Sequence, residues 1–202
     1  MIGYNGWYTG LYFEGSEKFS GAATIGDSFY MVPERTRSVV GVRFTDGAMT
    51  PFNQWPTTSN GQGTLTLGAR AFSAGVAVPD GDSSAGGGPS SSSLWLAPHD
   101  ADHIVKFQPW NNGRMVAYPF LSTDSFSTSS PGYFNAILHV GGYIWLVPNY
   151  ANMVLQIDAT GEVVKGLHSW PVGLDHSGGH FFANAIGTNN DTVWMLSAVG
   201  WW

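Results

Sequence analysis

The chain contains no cysteine among its 202 residues, which excludes a disulfide framework and any thiolate metal site. Charge is scarce as well. Only 11% of residues are charged, less than half the roughly 25% usual in globular domains. The eight basic residues are scattered, with Arg35 and Arg37 the only close pair, and the formal net charge is −6. Nucleic-acid binders cluster Lys and Arg against phosphates, so no nucleic-acid partner is expected. No apolar run approaches the roughly 20 residues of a membrane helix. The opening MIGYNGWYTG lacks the basic region and apolar stretch of a signal peptide. Neither a transmembrane segment nor a secretory leader is expected.

What is abundant is aromatic and turn-forming. Nine Trp, eight Tyr and twelve Phe stand beside 27 Gly and 11 Pro, a composition of many short strands punctuated by turns. Three segments align on a proline that follows an aromatic-apolar strand: SFYMVPERTRSVVGVRFTDGAMT, SLWLAPHDADHIVKFQPWNNGRMV and YIWLVPNYANMVLQIDATGEVV. The aligned prolines are Pro33, Pro98 and Pro148, each preceded three residues earlier by Tyr30, Trp95 or Trp145. Turns follow at Asp46-Gly47, Asn112-Gly113 and Thr160-Gly161; Asp-Gly and Asn-Gly suit turns that need positive φ. A Phe-led strand precedes each core at Phe19, Phe72 and Phe134, and an aromatic-proline pair closes it at Trp55-Pro56, Tyr118-Pro119 and Trp170-Pro171. A fourth copy begins at Phe182, with Trp194 in the aromatic place and Ser197 in the proline place.

The aligned positions lie 65, 50 and 49 residues apart, the first interval lengthened by the Gly/Ser insert PDGDSSAGGGPSSSS. Units near 50 residues with four strands each match propeller blades, which cannot bury both sheet faces alone and must pack on neighbours. The expected fold is therefore all-β, a small β-propeller of about four blades, each a four-stranded antiparallel sheet. It is one domain over residues 1–202, with units at about 19–66, 71–120, 133–172 and 181–202. Residues 1–18 are expected to complete the last blade, burying Trp194, Trp201 and Trp202, because unpaired edges and exposed tryptophans invite aggregation.

The repeat resembles kelch-like β-propeller blades of the pattern W-x-V-P … V-x-x-I-D-x-x-G, carried here by Trp145, Pro148, Ile157, Asp158 and Gly161. The resemblance covers nearly the whole chain. It implies a scaffold found in enzymes, in receptor ectodomains and in structural proteins of phage and other virus particles.

Function is sought in what varies between copies. On one face a propeller gathers the loops between second and third strands: here Glu34 to Ser38, His99 to His103 and Asn149 to Met153. Arg35, Arg37, Asn149 and Asn152 from these loops are candidate partner contacts. Trp110, Tyr133 and Tyr150 break the repeat and are candidate ligand or partner anchors. In HDADH, His99, Asp100, Asp102 and His103 form a dense group of potential metal ligands, to which LDHSGGH adds His176 and His180. A solvated polar loop explains them more simply, so no metal or cofactor is expected. Neither a Gly-x-Ser-x-Gly nucleophile motif nor a phosphate-binding Gly-Lys-Ser/Thr loop occurs, and no catalytic residue is assigned. The expected function is a non-enzymatic interaction module of a larger assembly. Through the resemblance, this is a virion component of a phage or similar virus, as head decoration or receptor-facing tail protein, assembled in the host cytoplasm. Its partners would be capsid or tail proteins, with glycans second; a lectin-like propeller is the alternative, ahead of a glycosidase or lyase.

Overall fold

The computed structural model describes residues 7, 17–56, 65–80, 91–120, 126–128, 130–158, 164–174, 182–188 and 191–198, with no helix among them. The first sheet holds β1 (Phe19–Ile25), β2 (Ser28–Pro33), β3 (Val39–Arg43) and β4 (Met49–Phe52). The second holds β5 (Phe72–Pro79), β6 (Ser92–Pro98), β7 (His103–Gln108) and β8 (Arg114–Pro119). The third holds β9 (Phe134–Val140), β10 (Tyr143–Pro148), β11 (Val154–Asp158) and β12 (Val164–Leu167). A fourth, two-stranded sheet pairs β13 (Phe182–Gly187) with β14 (Val193–Ser197). Within each sheet, every strand pairs antiparallel with its neighbours in sequence. The first strands stack in turn, β1 on β5, β5 on β9 and β9 on β13. This is the all-β propeller arrangement that the repeat announced.

The stacking follows from period-two alternation along strands buried on both faces. In β6, Leu94 and Leu96 join Val32, Phe72 and Phe107 in the seam with the first blade. Trp95 and Ala97, pointing the other way, join Phe134, Ile144 and Leu155 in the seam with the third. A smaller group of Ala136, Val147, Phe182 and Ala185 joins blades three and four. Each seam is also marked by an aromatic from the end of one blade meeting the leading Phe of the next. The ring centroids lie 5.7 Å apart for Trp55 and Phe72, 5.8 Å for Phe120 and Phe134, and 5.8 Å for Trp170 and Phe182. Trp7 meets Phe19 in the same manner at 6.3 Å.

The turns match their residues. Asn112 and Gly113 have φ of 51° and 71°, as a two-residue turn with both positions left-handed requires. At the first blade's equivalent turn, Arg43 clamps Asp46 with hydrogen bonds of 3.0 and 2.6 Å, holding that carboxyl down to about 2. Thr160-Gly161 and the Gly/Ser insert from 81 to 90 lie outside the described residues. So does the completion of the fourth blade by residues 1–18, apart from Trp7, Glu17 and Lys18. One expectation fails: Trp194 is not buried but 63% exposed. Its counterparts are covered because their sheet continues into a third strand and packs on a following blade, and among the described residues β14 has neither.

Candidate functional site

The recurring Phe and Pro stand opposite one another. Phe19 pairs with Pro33, Phe72 with Pro98, Phe134 with Pro148 and Phe182 with Ser197, and in each blade the register then shifts by one residue. The residue left unpaired by this β-bulge is Ser20, Ser73, Asn135 or Ala183. Proline favours the break because it has no N–H for the ladder, although Ser197 shows that the shift forms without it. A bulge bends the strand and re-aims the extra side chain. Here it aims at the next blade. Ser20 Oγ donates to the Phe72 carbonyl at 2.9 Å, Ser73 Oγ to the Phe134 carbonyl at 2.6 Å and Asn135 Nδ2 to the Phe182 carbonyl at 2.9 Å. Ala183, at the fourth such position, has no donor.

A second series runs through the backbone. Glu34 N–H donates to Lys18 O at 3.0 Å, Ala71 N–H to Glu34 O at 2.7 Å and His99 N–H to Ala71 O at 2.9 Å. Tyr133 N–H then donates to His99 O at 2.8 Å and Asn149 N–H to Tyr133 O at 2.9 Å. The residues just after the aligned positions, Glu34, His99, Asn149 and Ala198, therefore sit beside the bulge residues. Together with Arg70 the two sets line a cavity of about 430 Å³ to which all four blades contribute. This mouth is the candidate site.

Removing one clasp tests how the mouth is held. Ser73→Ala leaves the Phe134 carbonyl without its hydroxyl donor, and a loss of about 1–3 kcal/mol is expected in urea denaturation. A stability equal to that of the unaltered protein would show the clasp to be incidental.

HDADH proves to be a bracket for the link between blades one and two. Asp100 N–H donates to Arg70 O at 2.9 Å while its carboxylate accepts from Arg70 N–H at 3.1 Å. Asp102 does the same with Thr66, at 3.2 and 2.9 Å. Each carboxylate also meets its neighbouring imidazole: His99 Nδ1 lies 2.6 Å from Asp100 and His103 Nδ1 2.7 Å from Asp102. The four residues thus form two adjacent pairs, and the described residues contain no group of three or more potential ligands placed to hold an ion. His176 and His180 lie outside the described residues.

The other sequence candidates divide between structural and rim positions. Asn152 repeats the Asp102 bracket, with N–H to Ser127 O at 3.1 Å and its side-chain oxygen accepting from Ser127 N–H at 3.0 Å. The carbonyls of Arg37 and Asn152, both four residues after the aligned proline, accept the indole N–H of Trp55 and Trp170 at 2.9 and 3.2 Å. The Arg37 side chain is exposed. Tyr133 packs edge-on against Phe120 and Phe126; burial pushes its phenol up, and the Asp100 and Asp102 carboxylates add to the shift. Tyr150 and His99 approach each other across Gly132, whose φ of +95° and lack of a Cβ make room for both. Asn149 lines the mouth. Trp110 lies apart from all of these. Its indole N–H donates at 2.9 Å to Asp80, beside the insert on the opposite face. That face has a second cavity of about 500 Å³ at β9, lined by His139, Gly141, Gly187 and Asp191 among others, and burial pushes the His139 imidazole down.

Sequence reasoning missed the bulge residues and Arg70. The signal for the former was on view in FS, FS, FN and FA at the head of the four Phe-led strands. Arg70 had no such signal, since its role depends on Glu34, 36 residues away.

No protein-family model matches the chain, and no curated protein matches it in sequence. Its fold does have counterparts among solved structures. A catalytically inactive variant of virginiamycin B lyase from Staphylococcus aureus, solved with quinupristin, aligns with a TM-score of 0.54 at 14% identity, over 89% of this chain and 49% of the lyase. The extracellular domain of BT4673 from B. thetaiotaomicron aligns with a TM-score of 0.54 at 10% identity, over 89% of this chain and 19% of that one. The likeness is one of fold: this chain is an all-β, propeller-type array that spans half or less of the length of these neighbours.

Proposed function

We propose that the protein is a non-enzymatic structural and interaction module. In its most specific form it is a virion component of a phage or similar virus, a head decoration or a receptor-facing tail protein. One observation carries the first part of this reading. The polar side chains around the mouth are spent on holding the array together: Ser20, Ser73 and Asn135 clasp successive blades, Glu34 is tied to Arg70, and Asp100 is shared between His99 and the interblade link. A catalytic cavity keeps such groups turned toward its substrate; a scaffold consumes them. The kelch-like repeat and the low charge support the more specific part, with capsid or tail proteins as partners. Quantitative mass spectrometry of purified particles tests it. Many copies per particle are expected, and absence from particles would sink the virion reading.

A second reading, an enzyme acting at the mouth, is favoured by one feature. His99 lines the cavity with its Nδ1 held 2.6 Å from Asp100, a contact by which a carboxylate orients an imidazole. The neighbouring lyase shows that this fold can carry catalysis. A turnover abolished by His99→Ala would overturn the non-enzymatic reading in favour of this one.

A further inference from the structure

Beside the mouth, one carboxylate is held only loosely between two cations. Arg70 is held from behind by Glu34, whose buried carboxylate accepts from Nε at 2.5 Å and also pairs with Nη2. That contact fixes the guanidinium plane. Glu17 meets the same side of the site in a looser way. Its Oε2 is 3.4 Å from Arg35 Nη2 and 3.8 Å from Arg70 Nη2, where a well-formed charge-assisted N–H···O bond is about 2.7–2.9 Å. Glu17 is 55% exposed, and exposed pairs of such geometry contribute little. Arg35 is under-used too, because its Nε is buried with no hydrogen-bond partner among the described residues. A buried unpaired donor is a standing cost that an added acceptor would relieve.

We propose that Arg35 and Arg70 bind the carboxylate of a sugar acid, and that Glu17 occupies its place in the empty state. Two Nη2 donors, of Arg35 and Arg70, aimed at one loosely held carboxylate define an anion position. Arg is suited to this because its fork matches both oxygens of a carboxylate. The adjoining cavity of about 430 Å³ is lined by Ser20, Ser73 and Asn149 together with Glu34, Arg70 and His99, and the clasped serine hydroxyls still keep acceptor lone pairs. Its size lies within the range of small-ligand pockets, and such a lining suits the hydroxyls of one pyranose ring better than the extended chain of an acidic peptide. The inference stands on the mouth's own geometry, so a chain found in no virus particle would leave it intact.

Isothermal titration calorimetry with glucuronic acid, N-acetylneuraminic acid, glucose and acetate tests the proposal. At least one sugar acid should bind saturably, with glucose and acetate at least about tenfold weaker. Arg35→Gln should weaken that binding about tenfold or more. Glu17→Gln, a surface change that spares the fold, should tighten it several-fold by removing the competing carboxylate, an effect that a merely structural Glu17 would not produce. The proposal fails if neither sugar acid binds more tightly than glucose. It fails equally if acetate binds as well as the acids, which would mark a simple anion site, or if Glu17→Gln leaves the affinity unchanged.

Discussion

Trp95→Ala is expected to remove about 3–5 kcal/mol of folding stability, the range for truncating a buried aromatic, whereas Trp194→Ala should remove less than about 1 kcal/mol, as exposed positions do. The two residues hold the same place in the repeat, so the comparison separates repeat position from burial. Trp95 is completely buried, stacked on Tyr118 at 5.2 Å with the Lys106 ammonium 5.4 Å from its ring centroid. Trp194 is 63% exposed. Trp95→Phe should be milder than truncation, since it keeps most of the ring and removes an indole N–H that has no hydrogen-bond partner among the described residues. Urea denaturation of the three variants decides the matter, and equal losses at Trp95 and Trp194 would mean that the fourth blade is covered in solution.

Asp80→Ala should be comparably damaging, at about 3–5 kcal/mol, because it strands a buried cation. Lys106 Nζ lies 2.7 Å from Asp80 Oδ1, and the side chains are only 11% and 7% exposed. The other carboxylate oxygen accepts from Trp110 Nε1 at 2.9 Å and from Ser93 Oγ. Lys106→Met should cost less, since Asp80 then keeps two donors. The double variant Asp80→Ala with Lys106→Met should regain part of the loss, as replacing a buried pair by apolar side chains often does. A double-mutant cycle reads this coupling directly; strictly additive losses would show that the pair is not a unit. Asp80 N–H also donates to Ser91 O at 3.0 Å. The cluster therefore closes the base of the Gly/Ser insert, and Trp110, a candidate ligand or partner anchor, also has a structural task there.

HDADH and the bulge residues show why the site was harder to read than the fold. In HDADH the residue types suggested metal ligation, yet Asp100 and Asp102 turn toward the backbone of Arg70 and Thr66, about thirty residues earlier. No local spacing encodes that meeting. Ser20, Ser73 and Asn135 recur in plain view, but a serine after a phenylalanine carries no meaning until the register shift opposite Pro33, Pro98 and Pro148 aims it across a seam.

The sequence by itself determined the strands, the blades and the core. Alternation of apolar residues, a recurring Phe and Pro, and Gly at the turns are local or periodic signals, and the physics they report, burial of both sheet faces and positive φ, acts over a few residues at a time. Only the tertiary structure decided which polar groups meet. The Glu34–Arg70 pair, the Asp80–Lys106 pair and the loose hold of Arg35 and Arg70 on Glu17 join residues separated along the chain by loops of unequal length. Electrostatic contacts depend on distances set by how the blades stack, and stacking angle is a property of the packed array that no single unit contains.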